Sequence, residues 1–334
     1  MPTASILGES DDHVRMAARL LREGELVALP TETVYGLAGN ARLETTVRSI
    51  FTVKGRPLID PLIVHVHDFS QVEELCADVP PIAHQLAEAF WPGPLTLILP
   101  KAPQVSDLLT AGHPTVAVRM PAHPLARRIL QAADVPLAAP SANPFGYISP
   151  TCAEHVQESL GERIGWIVDG GPCQKGIEST IIDVSTPGEI RLLRPGPLTG
   201  EQISEALNGL PVTTPAATSS DKPVAPGMLT RHYSPHTPLT LVPNGQLPPA
   251  IPPTAPEGSS AWLATARPRA DASSPAYTRY WFSETGALED ISQSLFGMLR
   301  KLDQAGHSHI YVELPPSDGL GLSLIDRLNR AAAR

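Results

Sequence analysis

Lys54 and Arg56 stand two residues apart, with Gly55 between them and Pro57 behind, in the stretch Val53-Lys54-Gly55-Arg56-Pro57-Leu58-Ile59-Asp60-Pro61. Pro57 has no amide hydrogen and fixes its own φ, so the spacing predicts an irregular loop for the pair rather than a continued helix. Behind it Leu62-Ile63-Val64-His65-Val66 reads as a buried strand, which tethers the loop and lets its charges be aimed inward. Two aimed cations on a fixed backbone suit an anionic ligand, most often a phosphate chain. Alone, a Lys-Gly-Arg is more commonly a solvated surface turn.

Its company changes that balance. Thr33, Lys54, Arg56, His65, Thr115, Arg119, Ser141, Asn143, Ser179 and Arg194 each fall at or beside the end of an apolar strand, and groups so placed gather on one rim of a sheet. Singly, Thr33 and Ser141 read as turn or cap residues, His65 as a satisfied core histidine and Arg119 as a structural ion-pair partner. Together they are cationic and hydroxylic, without a cysteine nucleophile or a paired-carboxylate signature. That chemistry suits binding of a nucleotide and a carboxylate rather than hydrolytic acid–base work.

The elements that must position these groups alternate between strand and helix. Ser10 with Asp11 and Asp12 caps an apolar-periodic helix that Gly24 ends, and a strand 25–30 runs into the hydroxyl-rich turn Thr31-Glu32-Thr33-Val34-Tyr35-Gly36. A helix 43–53 delivers the Lys54 loop. Helices are also expected at 80–90, 123–133, from Thr151 (capped by its hydroxyl, with Glu154 three residues on) and at 199–207, and strands at 95–99, 115–121, 136–139, 166–169, 178–184 and 190–196. From 211 to 238 the composition shifts to Pro, Thr, Ser and Ala, the mark of an extended linker. Inside it Pro226-Gly227-Met228-Leu229-Thr230-Arg231-His232-Tyr233-Ser234-Pro235 is richer in functional side chains than a spacer needs. Beyond a second Pro-rich stretch, strands at 262–264 and 309–314 and helices at 288–305 and 320–333 predict a small α/β domain of Rossmann-like pattern, with Leu295, Leu299 and Leu302 in its core. The expected organisation is a catalytic domain over 1–210, a linker over 211–238 and a C-terminal domain over 239–334.

Composition narrows the function class. At 334 residues two domains are expected, and 25 Lys+Arg against 34 Asp+Glu give a net charge of -9, which argues against broad electrostatic binding to nucleic acid or anionic membrane. Three scattered cysteines, Cys76, Cys152 and Cys173, suggest neither a disulfide framework nor a zinc site, and the first residues lack a basic and an apolar leader region. These features point to a cytoplasmic protein. There is no GxxxxGK[ST], HExxH or GxSxG, and His232 with His236 could share a metal only on a helix that Pro235 denies them.

The motifs resemble the YrdC-type threonylcarbamoyl-AMP synthase family. Pro30-Thr31-Glu32-Thr33-Val34-Tyr35-Gly36-Leu37, Lys54-Gly55-Arg56-Pro57 through His65, Trp91-Pro92-Gly93-Pro94-Leu95-Thr96, Val118-Arg119-Met120-Pro121, Ala139-Pro140-Ser141-Ala142-Asn143 and Glu178-Ser179-Thr180-Ile181 with Leu193-Arg194-Pro195-Gly196 carry the likeness. Arg231-His232-Tyr233-Ser234-Pro235, Gly319-Leu320-Gly321 and Asp326-Arg327-Leu328 extend it to the long, two-domain form. The resemblance implies an open, twisted, mixed sheet with a concave ligand cavity. It implies synthesis of L-threonylcarbamoyladenylate and pyrophosphate from L-threonine, bicarbonate or CO2, and ATP with Mg2+, for threonylcarbamoylation of the tRNA adenosine beside the anticodon. The product would pass to a tRNA threonylcarbamoyl transferase complex, with direct tRNA binding weak or absent.

By the same resemblance Thr33, His65, Arg119, the backbone at Ala139, and Ser179 would hold L-threonine, with Arg119 pairing its carboxylate. Lys54, Arg56, Asp60, Thr115, Ser141, Asn143, Ser149, Arg194 and Tyr233 would hold ATP, and Lys54 and Arg56 would offset charge developing on the α-phosphate. The family pattern has Asn where this chain has Asp60, which adds a carboxylate near the phosphates. Between Met228 and Arg231 the family often has a basic or aromatic residue, which Leu229-Thr230 does not supply. The linker is expected to lie across the mouth of the first domain as a lid that excludes water from a labile adenylate. Two other readings compete: a hydrogenase-maturation carbamoyltransferase, whose cysteine-rich zinc modules this chain lacks, and a non-catalytic RNA-binding module, which the net charge disfavours.

Overall fold

The computed structural model describes residues 3–215, 223, 225–227, 232–249, 258–268 and 277–333. Its contacts divide into two units, one of Met1–Phe145, Ser149–Gln174 and Glu178–Leu229, the other of Gly146–Ile148, Lys175–Ile177 and Thr230–Arg334. The linker motif residues Met228, Leu229, Thr230 and Arg231 lie outside the described residues.

In the first unit the chain runs through β1 (Ser5–Leu7), α1 (Asp11–Arg22), β2 (Val27–Leu29), β3 (Gly36–Asn40), α2 (Glu44–Lys54) and β4 (Ile63–His65). It continues through α3 (Phe69–Leu75), α4 (Pro81–Phe90), β5 (Leu95–Pro100), α5 (Asp107–Thr110), β6 (Thr115–Arg119), α6 (Pro124–Ala133) and β7 (Leu137–Ala138). Then come α7 (Ala153–Leu160), β8 (Trp166–Val168), β9 (Thr180–Asp183), β10 (Arg191–Arg194) and α8 (Gly200–Ala206). These strands form one mixed sheet in the order β1-β8-β2-β3-β7-β4-β6-β5-β9-β10.

Local chemistry sets the element ends. Ser10 accepts the His13 amide at the start of α1, and Thr199 with Gln202 makes a reciprocal capping box at the start of α8. Pro81 and Pro124 occupy first turns, where a missing amide hydrogen costs nothing. Two expectations change. Lys54 is not in the loop but closes α2, with Gly55 as its left-handed cap at φ 63°. Helix α7 starts one residue later than Thr151 suggests: Cys152 is its N-cap, with no side-chain bond, and the Thr151 hydroxyl lies by His155 Nδ1 at 3.3 Å.

Alternation along the central strands separates the two faces of the sheet. The registers Ile63↔Ala117, His65↔Arg119, Ile98↔Ala117 and Thr96↔Ile181 put these residues on one face. Val64, Leu97, Val118 and Ile182 point to the other, where they join the main core with Ile50 and Phe51 of α2 and Leu86 of α4. On the first face α1 and α6 cover one half of the sheet, through Leu21, Leu125 and Ile129 packed on Val27, Leu29 and Leu137. Over the other half lies a small cluster, Ile63, Ile98, Ala117 and Ile181 with Ala225 of the linker.

The second unit holds β11 (Leu239–Val242), β12 (Ser260–Ala266), β13 (Tyr277–Ser283), α9 (Leu288–Gln304), β14 (His309–Glu313) and α10 (Leu320–Ala332). Its strands are all parallel in the order β11-β14-β12-β13. Helix α9 buries Ile291, Leu295, Phe296, Leu299 and Leu302 completely, as an amphipathic helix on a parallel sheet must. His236 pairs with Asp303 at 3.0 Å.

Candidate active site

Of the polar residues predicted from sequence, His65, Thr115 and Arg119 lie on the half of the sheet face where Ala225 of the linker packs, and they spread along it rather than gather at one rim. Strands β4 and β6 are parallel neighbours, so they define two ends. Arg119 and His65 sit opposite each other at the C-terminal end. Thr115 begins β6, on the same face as Arg119 and about 13 Å from it at roughly 3.3 Å per residue, at the end where the Lys54 loop enters β4.

At the C-terminal end, Arg119 is 3% exposed and its guanidinium is fully directed. Nη2 donates to Glu32 Oε1 at 2.5 Å, Nη1 to Thr33 Oγ1 at 2.9 Å and Nε to the Gly93 carbonyl at 3.2 Å. The second Glu32 oxygen accepts the Ala122 amide at 3.0 Å. Thr33 is set in turn by Thr31, whose hydroxyl accepts the Thr33 and Val34 amides. His65 is buried beside this fork, and neither ring nitrogen has a hydrogen-bond partner among the described residues. Burial first, and the Arg119 charge second, push its pKa well below the usual histidine range, so the ring is neutral. Ser179 closes this end: its hydroxyl lies 2.7 Å from Thr96 Oγ1 and accepts from Arg194 Nη2 at 3.0 Å. Arg194 also donates to the Ser179 carbonyl at 3.0 Å.

At the other end, Lys54 Nζ donates to the carbonyls of Ser141 and Asn143, so the second polar turn is fastened to the first. Burial, and then Arg56, hold the Lys54 pKa well below its usual range, with Asp60 opposing. Arg56 donates from Nε to the Asp60 carbonyl at 3.1 Å and from Nη2 to the Pro61 carbonyl at 2.7 Å, which ties the loop into a closed turn. Its Nη2 also lies 2.9 Å from Asp60 Oδ2, an ion pair whose carboxylate partner is fully buried. Burial raises the Asp60 pKa, against the pull of Arg56, Lys54 and Arg194. Asp60 thus lies against Arg56, and neither of its carboxyl oxygens has a hydrogen-bond partner among the described residues. Ala139 lies between the two ends and gives its amide to the Ile63 carbonyl at 3.0 Å. Ser149, fully buried, donates to Glu178 Oε1 at 2.6 Å.

Glu32 and Glu178 are the residues that sequence reasoning missed. Both are carboxylates within 7% of full burial, each bonded to a predicted site residue. Their flanking Thr31, Thr33 and Ser179 were the available signal. Tyr233 belongs to the second unit, buried at φ 61°, with its ring 5.3 Å from Phe296 and under the Arg327 guanidinium at 5.6 Å.

The linker contributes to this face directly. Ala225 is completely buried in the cluster with Ile63, Ile98, Ala117 and Ile181. The Pro226 carbonyl accepts from Arg194 Nη1 at 3.1 Å, and the Pro223 carbonyl lies 3.0 Å from His113 Nε2.

Comparison with known proteins gives a consistent result. Residues 19–196 match the Sua5, YciO and YrdC family, described as telomere recombination, and residues 198–333 match a family described as the threonylcarbamoyl-AMP synthase C-terminal domain. The chain is 41% identical over 329 residues to the threonylcarbamoyl-AMP synthase of Bacillus subtilis, covering 98% of this chain and 94% of that one. It is 41% identical over 327 residues to the Pyrococcus abyssi protein of the same name, covering 96% and 94%. The crystal structure of P. abyssi Sua5 complexed with L-threonine superposes with a TM-score of 0.86 at 38% identity, covering 98% of both chains.

Proposed function

This chain belongs to the Sua5/YrdC threonylcarbamoyl-AMP synthase family in its long, two-domain form, and we propose that L-threonine and ATP meet on the linker-covered face of its large sheet. The enzyme is a nucleotidyltransferase that makes threonylcarbamoyl-AMP from L-threonine, bicarbonate or CO2, and ATP, releasing pyrophosphate, and water when bicarbonate is the carbon source. This is the first step of threonylcarbamoyladenosine formation in tRNA.

One observation carries the placement: the polar groups divide between the two ends of β4 and β6. A guanidinium fork with hydroxyls, Arg119 with Thr33 and Ser179, suits a carboxylate and an amino acid hydroxyl. At the other end Lys54, Arg56, Thr115, Ser141 and Asn143 suit a phosphate chain, with Ser149 and Arg194 completing the ATP contacts of the first unit. Threonine takes up CO2 at its amine, and the carbamate oxygen attacks the α-phosphate as pyrophosphate leaves. Lys54 and Arg56 offset the charge that grows on that phosphate, and Gly55 keeps the two aimed together. Neutral His65 accepts or donates one hydrogen bond to the carbamate without adding charge.

Mg2+ enters as the companion of ATP. The described residues hold no cluster of three or more His, Cys, Asp or Glu for a metal, and Asp60 lies 2.9 Å from Arg56. The linker contacts at Pro223, Ala225 and Pro226 act as a lid that keeps water from the adenylate. A cytoplasmic location fits three free cysteines, and no described helix is long and apolar enough to cross a membrane. With a net charge of -9 the enzyme passes its product to a transferase rather than gripping tRNA itself.

The test is pyrophosphate release from ATP and Mg2+ by the purified enzyme, with L-threonine and bicarbonate present or each omitted. Release that requires both supports the proposal. Release indifferent to threonine contradicts it.

A further inference from the structure

Two short segments, Gly146–Ile148 and Lys175–Ile177, belong to the second unit although they interrupt the first in sequence. Each runs directly into candidate site residues: Ile148 precedes Ser149, and Ile177 precedes Glu178 and Ser179. Helix α9 holds both. Arg300, 2% exposed, donates from Nη2 to the Ile148 carbonyl at 2.6 Å, with its guanidinium 4.9 Å from the centre of the Tyr147 ring. Ser292, two turns earlier on α9, donates from its hydroxyl to the Lys175 carbonyl at 2.6 Å. Gly176, at φ 74°, runs so close to the same turn that a Cβ would lie 2.2 Å from the Ser292 carbonyl oxygen and 2.5 Å from the Gln293 Cα. Only glycine fits there.

The residues that follow the two held segments are joined to each other, because Ser149 donates to Glu178 Oε1. A guanidinium buried to this degree is expensive to desolvate, and here it is directed to a main-chain carbonyl one residue before a site hydroxyl. We propose that Arg300 and Ser292 are positioning residues for the adenylation reaction: α9 fixes the two backbone segments that set the Ser149–Glu178 pair, and through it the ATP site. This gives the C-terminal domain a part in nucleotide binding that does not depend on its own side chains touching ATP. The inference rests on the reading of Ser149 as an ATP contact.

The experiment measures the affinity of the full-length enzyme for ATP and for L-threonine in Arg300→Met, Ser292→Ala, Ser149→Ala, and each α9 substitution combined with Ser149→Ala. Arg300→Met retains the aliphatic packing and removes the donor, and Arg300→Lys tests for rescue. The proposal predicts that Arg300→Met weakens ATP about tenfold and Ser292→Ala about threefold, with threonine affinity changed less than twofold. Both losses should vanish in the Ser149→Ala background, because the pair they position is gone. ATP affinity that stays at the parent value in both α9 variants overturns the proposal, as does a loss that persists in full in the Ser149→Ala background. If Arg300→Met does not fold, Ser292→Ala alone decides by the same criterion. Should Ser149→Ala itself leave ATP affinity unchanged, the reading of Ser149 falls and the proposal falls with it, whereas a Ser149 effect without an α9 effect overturns the positioning role alone.

Discussion

Glu32 holds Arg119: the carboxylate and the guanidinium meet at 2.5 Å with both side chains at most 5% exposed. Removing one partner of a buried pair leaves an uncompensated charge, which costs far more than the pair itself contributes. Glu32→Ala should therefore lower unfolding free energy by about 3 kcal/mol in denaturant titrations. L-Threonine should restore more stability to the variant than to the parent, because its carboxylate replaces the missing partner of Arg119. Equal stabilisation of both by threonine would show that the amino acid carboxylate lies elsewhere.

His65 makes stability depend on pH in a definite direction. Its pKa lies well below the ordinary 6.5 when folded. Between the depressed value and 6.5 the unfolded chain binds a proton that the folded chain does not, so stability rises with pH across that window and is lost as pH falls through it. Arg119 is the cation that faces the ring. Asp60, with a raised pKa, works in the opposite sense above 3.8. Melting temperatures of the parent and of His65→Gln, measured between about pH 5 and pH 7, should show the smaller pH dependence in the variant. Parallel curves would contradict the neutral, buried assignment.

Gly196 follows the Arg194-Pro195 turn and touches the backbone that carries Ser179. A Cβ there would lie 2.4 Å from the Thr180 nitrogen and 2.7 Å from the Ser179 carbonyl carbon. Gly196→Ala should cost about 1–3 kcal/mol of stability and weaken threonine binding, since the Ser179 hydroxyl is displaced with its backbone. Unchanged threonine affinity in the folded variant would remove Ser179 from that subsite.

Ala225 is the completely buried contact of the linker on the site face. Ala225→Asp places a charge against Ile63, Ile98, Ala117 and Ile181, so the segment should detach and admit water. The expected result is a several-fold rise in AMP formed per pyrophosphate released, as the adenylate is hydrolysed before transfer. An unchanged ratio would show that this segment is not the lid.

How much of this was legible beforehand followed the reach of each signal. Gly55 and Pro57 mark the end of α2 and the turn of Arg56 by local chemistry, so the Lys54–Arg56 pair stood out; only the assignment of Lys54 to the loop needed correction. Strand β3, Gly-Leu-Ala-Gly-Asn, lacks the β-branched and aromatic residues that announce a strand, and is held by its neighbours β2 and β7 instead. The single-turn α5 is too short for a periodic signal. Glu32 was visible as a residue but not as a partner, because Arg119 lies 87 positions away. The capture of residues 146–148 and 175–177 by α9 is likewise a long-range event, for which neither segment carries a local mark.

The central claim is that one sheet face carries a carboxylate end at Arg119 and a phosphate end at Arg56. Calorimetric binding of L-threonine and of ATP to Arg119→Gln and Arg56→Gln tests it most directly. Arg119→Gln should lose threonine and keep ATP within a few-fold, while Arg56→Gln should lose ATP and keep threonine. Loss of ATP by Arg119→Gln with threonine binding retained, or the converse for Arg56→Gln, would contradict it.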